Sequence, residues 1–190
     1  MNDLLSLLAT RRSAKVALLA GPGPTPAEVE TILTVAARVP DHKRLVPWRF
    51  IVFEGDARER FGTVLAEVLR REDPETPSEV RLETERGRFL RAPLVVAVVS
   101  RVVDTKGAPE WEQVLSAGAA AFNLCLAAKS LGYGTAWITE WYAYSPGVAE
   151  ALGLARGERI AGFVYVGSEP EPQPDRERPD MSKIVSRWQG

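Results

Sequence analysis

The sequence predicts one domain in which α-helices and β-strands share a single core. Three uninterrupted apolar runs, at residues 93–100, 133–139 and 160–167, are typical of buried strands. Residues 48–54 add a β-rich segment. With 190 residues, 45% of them hydrophobic, the chain is long enough to bury one sizeable core.

Helix signals lie before and between these runs. Thr25, Pro26 and Glu28 supply an N-cap, a first-turn proline and a capping-box glutamate. Further helices are expected at residues 3–9, from Asp56 to about residue 70, at 78–91 and 109–131, and after Ser145. Asp56, together with Glu59, is expected to cap the second of these helices. The 109–131 helix is apolar nearly all round, so it is expected at the centre of the protein, with packing against a second copy as a further option.

The composition changes after Gly167, where proline and charge dominate. Such a segment cannot form a core and predicts an extended arm. Ile184, Val185 and Trp188 near its end suggest docking on its own chain or on a neighbour. The expected organisation is a domain of residues 1–168 and an arm of residues 169–190.

Charge and hydropathy argue against two kinds of partner. The 24 basic and 25 acidic side chains give a net charge of −1, which creates no broad field for nucleic acid or an anionic membrane. The longest mainly apolar stretch, residues 114–128, is too short to span a bilayer, and no basic-then-apolar signal opens the chain. We therefore expect a cytoplasmic protein.

Several catalytic classes lack their motifs. One cysteine and one histidine cannot form a Cys/His zinc site or an intrachain disulfide, and no metal is predicted. Cys125 lies in an apolar helical run and is interpreted as a core residue. No Walker loop or nucleophile elbow occurs, and Gly132 and Gly134 indicate a helix end and tight turn. Sequence alone leaves a glycosidase carboxylate pair open. The pattern favours chemistry carried by a bound cofactor.

Two basic clusters suggest how a phosphorylated cofactor is held. Arg11, Arg12, Ser13 and Lys15 lie near the start, and Arg176 and Arg178 near the end. Arginine pairs bind phosphate through paired N–H donors, so the two clusters form a candidate phosphate grip. The alternative is that both are merely solvated. The loop 38–48 either only ends a helix or presents Arg38 and His42 to a ligand.

The order of these motifs resembles the nitroreductase family, in its small bacterial branch. The resemblance covers almost the whole chain and rests on residues 11–13, 40–43, 47–48, 111–113, 116–118 and 132–137. It implies an α+β fold with a central, mainly antiparallel sheet flanked by helices. It also implies an intertwined homodimer with FMN at the subunit interface, NADH or NADPH as hydride donor and a small-molecule electron acceptor.

The resemblance also implies roles for particular residues, while the flavin carries the chemistry and no side chain is assigned as catalytic. Arg11, Arg12 and Ser13 match the segment that holds the FMN phosphate and ribityl chain, and Lys15 a basic residue near the pyrimidine edge, where it would stabilise charge. The remaining matches are Arg38 and His42, which reach the flavin from the other subunit; Trp137, Ile138 and Thr139, which pass the ring; and Arg176 and Arg178, which help to bind phosphate.

Two departures from the family pattern bear on substrate preference. Val46 stands where glutamine often precedes the Pro-Trp pair, and Ile138 stands where the close branch can carry arginine. The expected reaction is ping-pong reduction of nitroaromatics, quinones or similar acceptors. The alternatives are another flavin reaction on the same fold, such as dehalogenation, flavin destruction or dehydrogenation of a metabolite, and a flavin-binding module with little turnover.

Overall fold

The protein is described here by a computed structural model that covers residues 3–171 and 173–190. Met1, Asn2 and Pro172, which fall in the predicted domain and arm, lie outside the described residues. The helices are α1 (Asp3–Thr10), α2 (Pro26–Ala36), α3 (Ala57–Glu72), α4 (Glu79–Arg86), α5 (Glu110–Ser130), α6 (Pro146–Ala151) and α7 (Met181–Ile184). The strands are β1 (Trp48–Glu54), β2 (Leu94–Arg101), β3 (Gly134–Ile138) and β4 (Glu158–Gly167).

The four strands form one sheet in the order β1-β2-β4-β3, and each neighbouring pair is antiparallel. The α+β fold expected from the sequence is therefore confirmed. Along β2 the side chains alternate between two cores: Val95 and Val99 pack with α3 and α6, whereas Val96 and Val98 pack with α2 and α5. Helices thus cover both faces of the sheet, which is why its central strand is an uninterrupted apolar run.

The core on the α3 side is built around Phe89, which is fully buried. Its ring lies 4.6–5.8 Å, between centroids, from the rings of Phe53, Phe61, Tyr142, Phe163 and Tyr165. Phe89 belongs to a 3-10 turn that follows α4. The single helix expected over residues 78–91 is wrong, because Gly87, a poor helix former, ends α4.

The placement of α5 also differs from the expectation. Ala117, Ala121 and Leu124 are fully buried against the sheet, but Trp111 and Leu115 are more than half exposed. The helix therefore lies on one face of the sheet and not at the centre of the chain. Within the described residues, only one side of this apolar helix is covered by other elements of the chain.

Gly132 ends α5 and starts the return to the sheet. Its φ of 92° lies in the left-handed region that favours glycine. The Gly132 N–H donates to the Lys129 carbonyl, and the Tyr133 N–H donates to the Ala128 carbonyl, both at 3.0 Å. This pair of bonds is a Schellman motif, and it confirms the predicted helix end.

The described part of the arm runs over the surface, and α7, capped by Asp180, is the one helix in it. Met181, Ile184, Val185 and Trp188 are all exposed, with Trp188 at 92%. Docking of the arm's apolar end on its own chain is thus not observed, and the neighbour remains the predicted site. None of the helices in the described ranges has the length and hydropathy needed to cross a membrane.

Candidate functional site

The basic segment at residues 11–15 lies between α1, α5 and β3. The Ala14 N–H donates to the Thr135 carbonyl of β3 at 2.8 Å, which fixes the segment to the sheet edge. The Arg11 guanidinium lies 5.9 Å from the ring centroid of Phe122 on α5 and 3.5 Å from Ser13 Oγ. Among the described residues, no carboxylate lies within 4.0 Å of Arg11, Arg12 or Lys15. Within that distance the segment is therefore a cluster of cations without an acidic partner, and the charge of Arg12 acts at longer range on Asp175 of the arm, whose pKa it lowers.

The arm meets this cluster at one point. The Arg12 guanidinium donates to the carbonyl of Pro174, two residues before Arg176. Arg178 pairs with Asp175 at 2.7 Å, and the Arg176 N–H bonds the same carboxylate. The backbone N–H of Arg176 and then the Arg178 side chain lower the pKa of Asp175, and the charge of Arg12 lowers it further. Arg12 and the arm thus come together, while Arg178 is engaged by Asp175 and Arg176 is exposed.

The loop after α2 is fastened along α5 by side chains of the helix. Asn123 Nδ2 donates to the Val35 carbonyl at 2.5 Å, and also to the Arg38 carbonyl at 3.4 Å. Ser116 Oγ donates to the Pro40 carbonyl at 2.5 Å. The loop therefore runs antiparallel to α5, and the exposed Arg38 side chain lies near its middle.

His42 lies near the N-terminal end of α5. Its Nδ1 is 2.7 Å from Glu112 Oε2, and both side chains are about half exposed. Arg11 instead contacts Phe122, ten residues further along the same helix. Ten residues correspond to about 15 Å along a helix axis. One chain therefore does not bring His42 and the Arg11 cluster together.

Backbone strain accompanies this loop. The Asp41 carboxylate accepts the N–H groups of Leu45 and Val46, each at 2.9 Å, and closes a tight turn. Lys43, Arg44 and Val46 have φ values of 62°, 55° and 49°. A β-branched residue such as Val46 rarely adopts that conformation. The carboxylate of Asp41 holds it there.

Two grooves border the exposed face of α5. One, of about 340 Å³, is lined by Pro40, His42, Glu112 and Ser116. The other, of about 530 Å³, lies beside Trp137 and Gly118 and includes Arg159 and Ser100. Leu115 and Ala119 line both grooves, so α5 forms their shared wall.

Trp137 forms the side of the larger groove. Its indole Nε1 donates to the Ala161 carbonyl at 3.1 Å, and the ring remains 40% exposed. The ring lies over Gly162, where a Cβ atom would collide with the indole. Sequence reasoning missed Gly162, although a glycine inside an apolar strand signals such a close approach. Ile138 and Thr139, the next two predicted site residues, are partly buried.

A partly buried network of ion pairs follows Thr139. Glu140 has φ 53° and ψ −178°. Arg91 donates to both of its carboxylate oxygens, at 3.1 and 3.0 Å, and Arg88 contacts both at 3.2 Å. Burial raises the pKa of Glu140, but hydrogen bonds from Arg91 and Tyr142 outweigh it, so the net pKa is lowered. No sequence signal marked this network.

Solved structures define the class of protein to which this fold belongs. The structure superposes on a nitroreductase-like protein from Bacillus cereus with a TM-score of 0.86 and 22% identity, over 100% of this chain and 98% of that one. It matches a putative nitroreductase from Desulfovibrio desulfuricans, solved in complex with FMN, with a TM-score of 0.74 and 20% identity, over 100% and 98% of the two chains. The fold is nitroreductase-like.

Sequence comparison then assigns the family. The model of the Nitroreductase family matches residues 8–168. Over 166 residues the chain is 38% identical to the putative NAD(P)H nitroreductase YdjA of Escherichia coli (strain K12), covering 87% of this chain and 88% of that protein. A putative NAD(P)H nitroreductase of Haemophilus influenzae is 35% identical over 170 residues, 89% and 90% of the two chains. The chain belongs to the nitroreductase family, as the sequence motifs predicted, and it is an oxidoreductase of that family.

Proposed function

We propose that the protein is a homodimeric, FMN-dependent oxidoreductase that uses NADH or NADPH to reduce electron-poor small molecules such as nitroaromatics or quinones. The observation that carries the proposal is the cluster of Arg11, Arg12 and Lys15, which has no acidic partner within 4.0 Å in the described chain and lies at the edge of β3. Clustered cations at a sheet edge are costly unless an anion neutralises them.

The donors present fit FMN. Arg11, Arg12 and Ser13 offer two guanidinium groups and a hydroxyl, which is the donor set that a phosphate requires. Gly118 and Trp137 both line the larger groove, and a Cβ atom at Gly118 would be in ordinary van der Waals contact with the indole, at 4.0 Å. A flat aromatic ring matches a groove with an indole on one side. The Bacteroides fragilis nitroreductase, with a TM-score of 0.69, also binds FMN, which adds support.

The residues of this chain divide the work of binding and orientation. Bound FMN would supply the redox chemistry, by ping-pong hydride transfer from NAD(P)H to the acceptor. Arg11, Arg12 and Ser13 would hold the phosphate, with Arg176 and Arg178 of the arm as further cations. Lys15 would place positive charge at the pyrimidine edge. Trp137, Ile138 and Thr139 would flank the ring and exclude water from it.

The proposed dimer would cover three exposed apolar surfaces. These are Leu5 and Leu8 of α1, the apolar side of α5 and the apolar end of the arm. A monomer rarely exposes so much apolar surface. Because His42 lies about 15 Å along α5 from the Phe122 position, it does not reach the Arg11 cluster of its own chain. We propose that the partner subunit supplies Arg38 and His42 to that cluster instead. The division into domain and arm, and the cytoplasmic location, stay predictions.

The visible spectrum of the purified protein tests the proposal directly. We expect an FMN spectrum that bleaches when NADH or NADPH is added without oxygen and returns rapidly with a nitroaromatic or quinone. Bleaching without rapid return would instead indicate a flavin-binding module. Absence of flavin, even after incubation with FMN, would refute the proposal.

Flavin choice tests the phosphate grip. FMN should bind more tightly than riboflavin, and Arg12→Ala should weaken FMN by about 1.5–3 kcal/mol, the scale of a charge-assisted contact. Arg60→Ala, an exposed arginine on α3, is the matched control and should change nothing. Equal affinity for FMN and riboflavin would show that the protein does not bind the phosphate group.

A mixed dimer tests whether the subunits share a site. If Arg12→Ala and His42→Ala each abolish flavin binding, a dimer with one chain of each kind has one doubly defective site and one intact site. Mixing should therefore restore about half of the flavin content per mixed dimer. No restoration, with subunit exchange shown by mass spectrometry, would place each site within one chain.

A further inference from the structure

We propose that Glu140, held by Arg91 and Arg88, is a positioning residue that fixes the end of β3 beside the larger groove. The proposal rests on the proposed function, because residues 137–139 just before it are those expected to flank the flavin. It assigns no chemistry to the carboxylate. Glu140 acts through the conformation of its own backbone.

The first observation is the backbone itself. A φ of 53° with a ψ of −178° lies in a region that is essentially restricted to glycine. A glutamate persists there only when its surroundings force it to. The strain lies at the strand end, one residue after Thr139, where any relaxation would move the preceding peptides.

The second observation is what forces it. Arg91 binds the Glu140 carboxylate through two parallel N–H bonds, and Arg88 adds two longer ones. Arg91 is itself fixed, since it also donates to the hydroxyls of Tyr142 and Tyr165, at 3.2 and 3.1 Å. Arg88 is likewise held by the buried Glu85 of α4, at 3.0 Å.

The network therefore ties the strand end to two rigid parts of the fold. Tyr165 belongs to β4 in the middle of the sheet, and Glu85 belongs to α4. Glu85 also accepts a hydrogen bond from the indole N–H of Trp141, the residue after Glu140. The Glu140 carboxylate points into this network, and Glu140 does not line the groove beside Trp137. A direct contact of the carboxylate with a ligand in that groove is thus not part of the role.

Two substitutions at this position separate backbone from side chain. Glu140→Gly removes the carboxylate but tolerates the positive φ, whereas Glu140→Ala removes the carboxylate and keeps the strain. We expect Glu140→Ala to raise the dissociation constant for FMN about tenfold, on the scale of such strain. The dissociation constant of Glu140→Gly for FMN should stay within about threefold of that of the unsubstituted protein, because glycine adopts this backbone conformation with little strain.

Hydrogen exchange of the full-length chain without added flavin gives a second reading that does not depend on the proposed function. Amides of residues 137–141 should exchange faster in Glu140→Ala than in Glu140→Gly. If the protein binds no FMN, this contrast still decides the positioning role. If FMN binds but the two variants behave alike in both measurements, the positioning role is wrong.

Arg91→Gln tests the arginine, and Arg49→Gln is its matched control. Arg49 forms a comparable pair with Glu158 at 2.8 Å, elsewhere in the sheet and without a strained residue. Arg91→Gln should weaken FMN binding in the native background and much less in the Glu140→Gly background. Arg49→Gln should leave FMN affinity unchanged. An equal loss in both backgrounds, or an equal loss in the control, would overturn the proposal.

Discussion

The two sides of α5 have similar apolar composition and opposite surroundings. Ala117, Ala121 and Leu124 are fully buried against the sheet, whereas Leu115 and Phe122 on the other side are 53% and 40% exposed. Both sides of the helix are apolar, so the amino-acid composition indicates that each side is covered by other protein. It does not show which chain covers it. One side is buried because the sheet of the same chain packs on it, whereas no described element of this chain packs on the other side.

The buried side should dominate folding. Leu124→Ala leaves a cavity between α5 and the sheet, so the free energy of unfolding should fall by about 2–5 kcal/mol. Urea denaturation followed by circular dichroism measures it. The dissociation constant of the proposed dimer should change little. A loss in unfolding free energy below about 1 kcal/mol would contradict the burial of this side.

The exposed side should dominate association. Leu115→Glu would place a charge in the proposed interface, at a cost of about 2 kcal/mol or more, and raise the dissociation constant at least roughly 30-fold. Sedimentation velocity measures the association, and circular dichroism should report a folded chain. Val80→Glu, on α4 and 80% exposed, is the control. If Leu115→Glu forms a dimer with the dissociation constant of the unsubstituted protein, this face of α5 is not part of the interface.

A smaller effect is expected where the exposed side meets the basic segment. Phe122→Leu keeps an apolar side chain but removes the ring beneath the Arg11 guanidinium, a contact worth about 0.5–1 kcal/mol. FMN affinity should fall about two- to fivefold in a fluorescence titration. An unchanged affinity would mean that Arg11 is positioned without Phe122.

The smallest expected effect is a difference in labelling rate between a buried and an exposed thiol on α5. Burial raises the pKa of Cys125 to about 11, so its thiolate is scarce at neutral pH. An ordinary thiol, with a pKa of about 8.5, is expected for Ser130→Cys at the exposed end of α5. Because the raised pKa favours the protonated thiol, alkylation of Cys125 should accelerate only as the pH approaches 11, while the engineered thiol reacts near pH 8. Rapid labelling of Cys125 at pH 8 would contradict its burial.

Much of the fold was predictable because its signals are local. The apolar runs of β2 and β4 and the capping box of Thr25 and Glu28 depend on neighbouring residues, and both were confirmed. The sequence indicated that α5 is apolar nearly all round, but helical periodicity does not reveal which face the chain itself covers and which face is left for a second copy. Asp56 does not cap α3 with its side chain, since its backbone is already helical.

The site was less predictable, because its parts meet only in three dimensions. The basic cluster at residues 11–15 is visible in the sequence, but its lack of an acidic partner within 4.0 Å depends on folding. The pairing of His42 with Glu112 joins residues 70 positions apart. The strained turn at Glu140 has no sequence signature, since glutamate is not a residue that positive φ favours.

Gly132 shows that exposure is a poor guide to mutational tolerance. It lies at the surface, and a Cβ atom there would meet nothing within 4 Å. Accessibility alone would mark it as freely variable. Yet its φ of 92° excludes most side chains, and with them the turn that sends the chain from α5 into β3. In a saturation library, this open position should therefore be restricted, though less severely than Gly62, where a Cβ atom would strike the Arg86 carbonyl of α4.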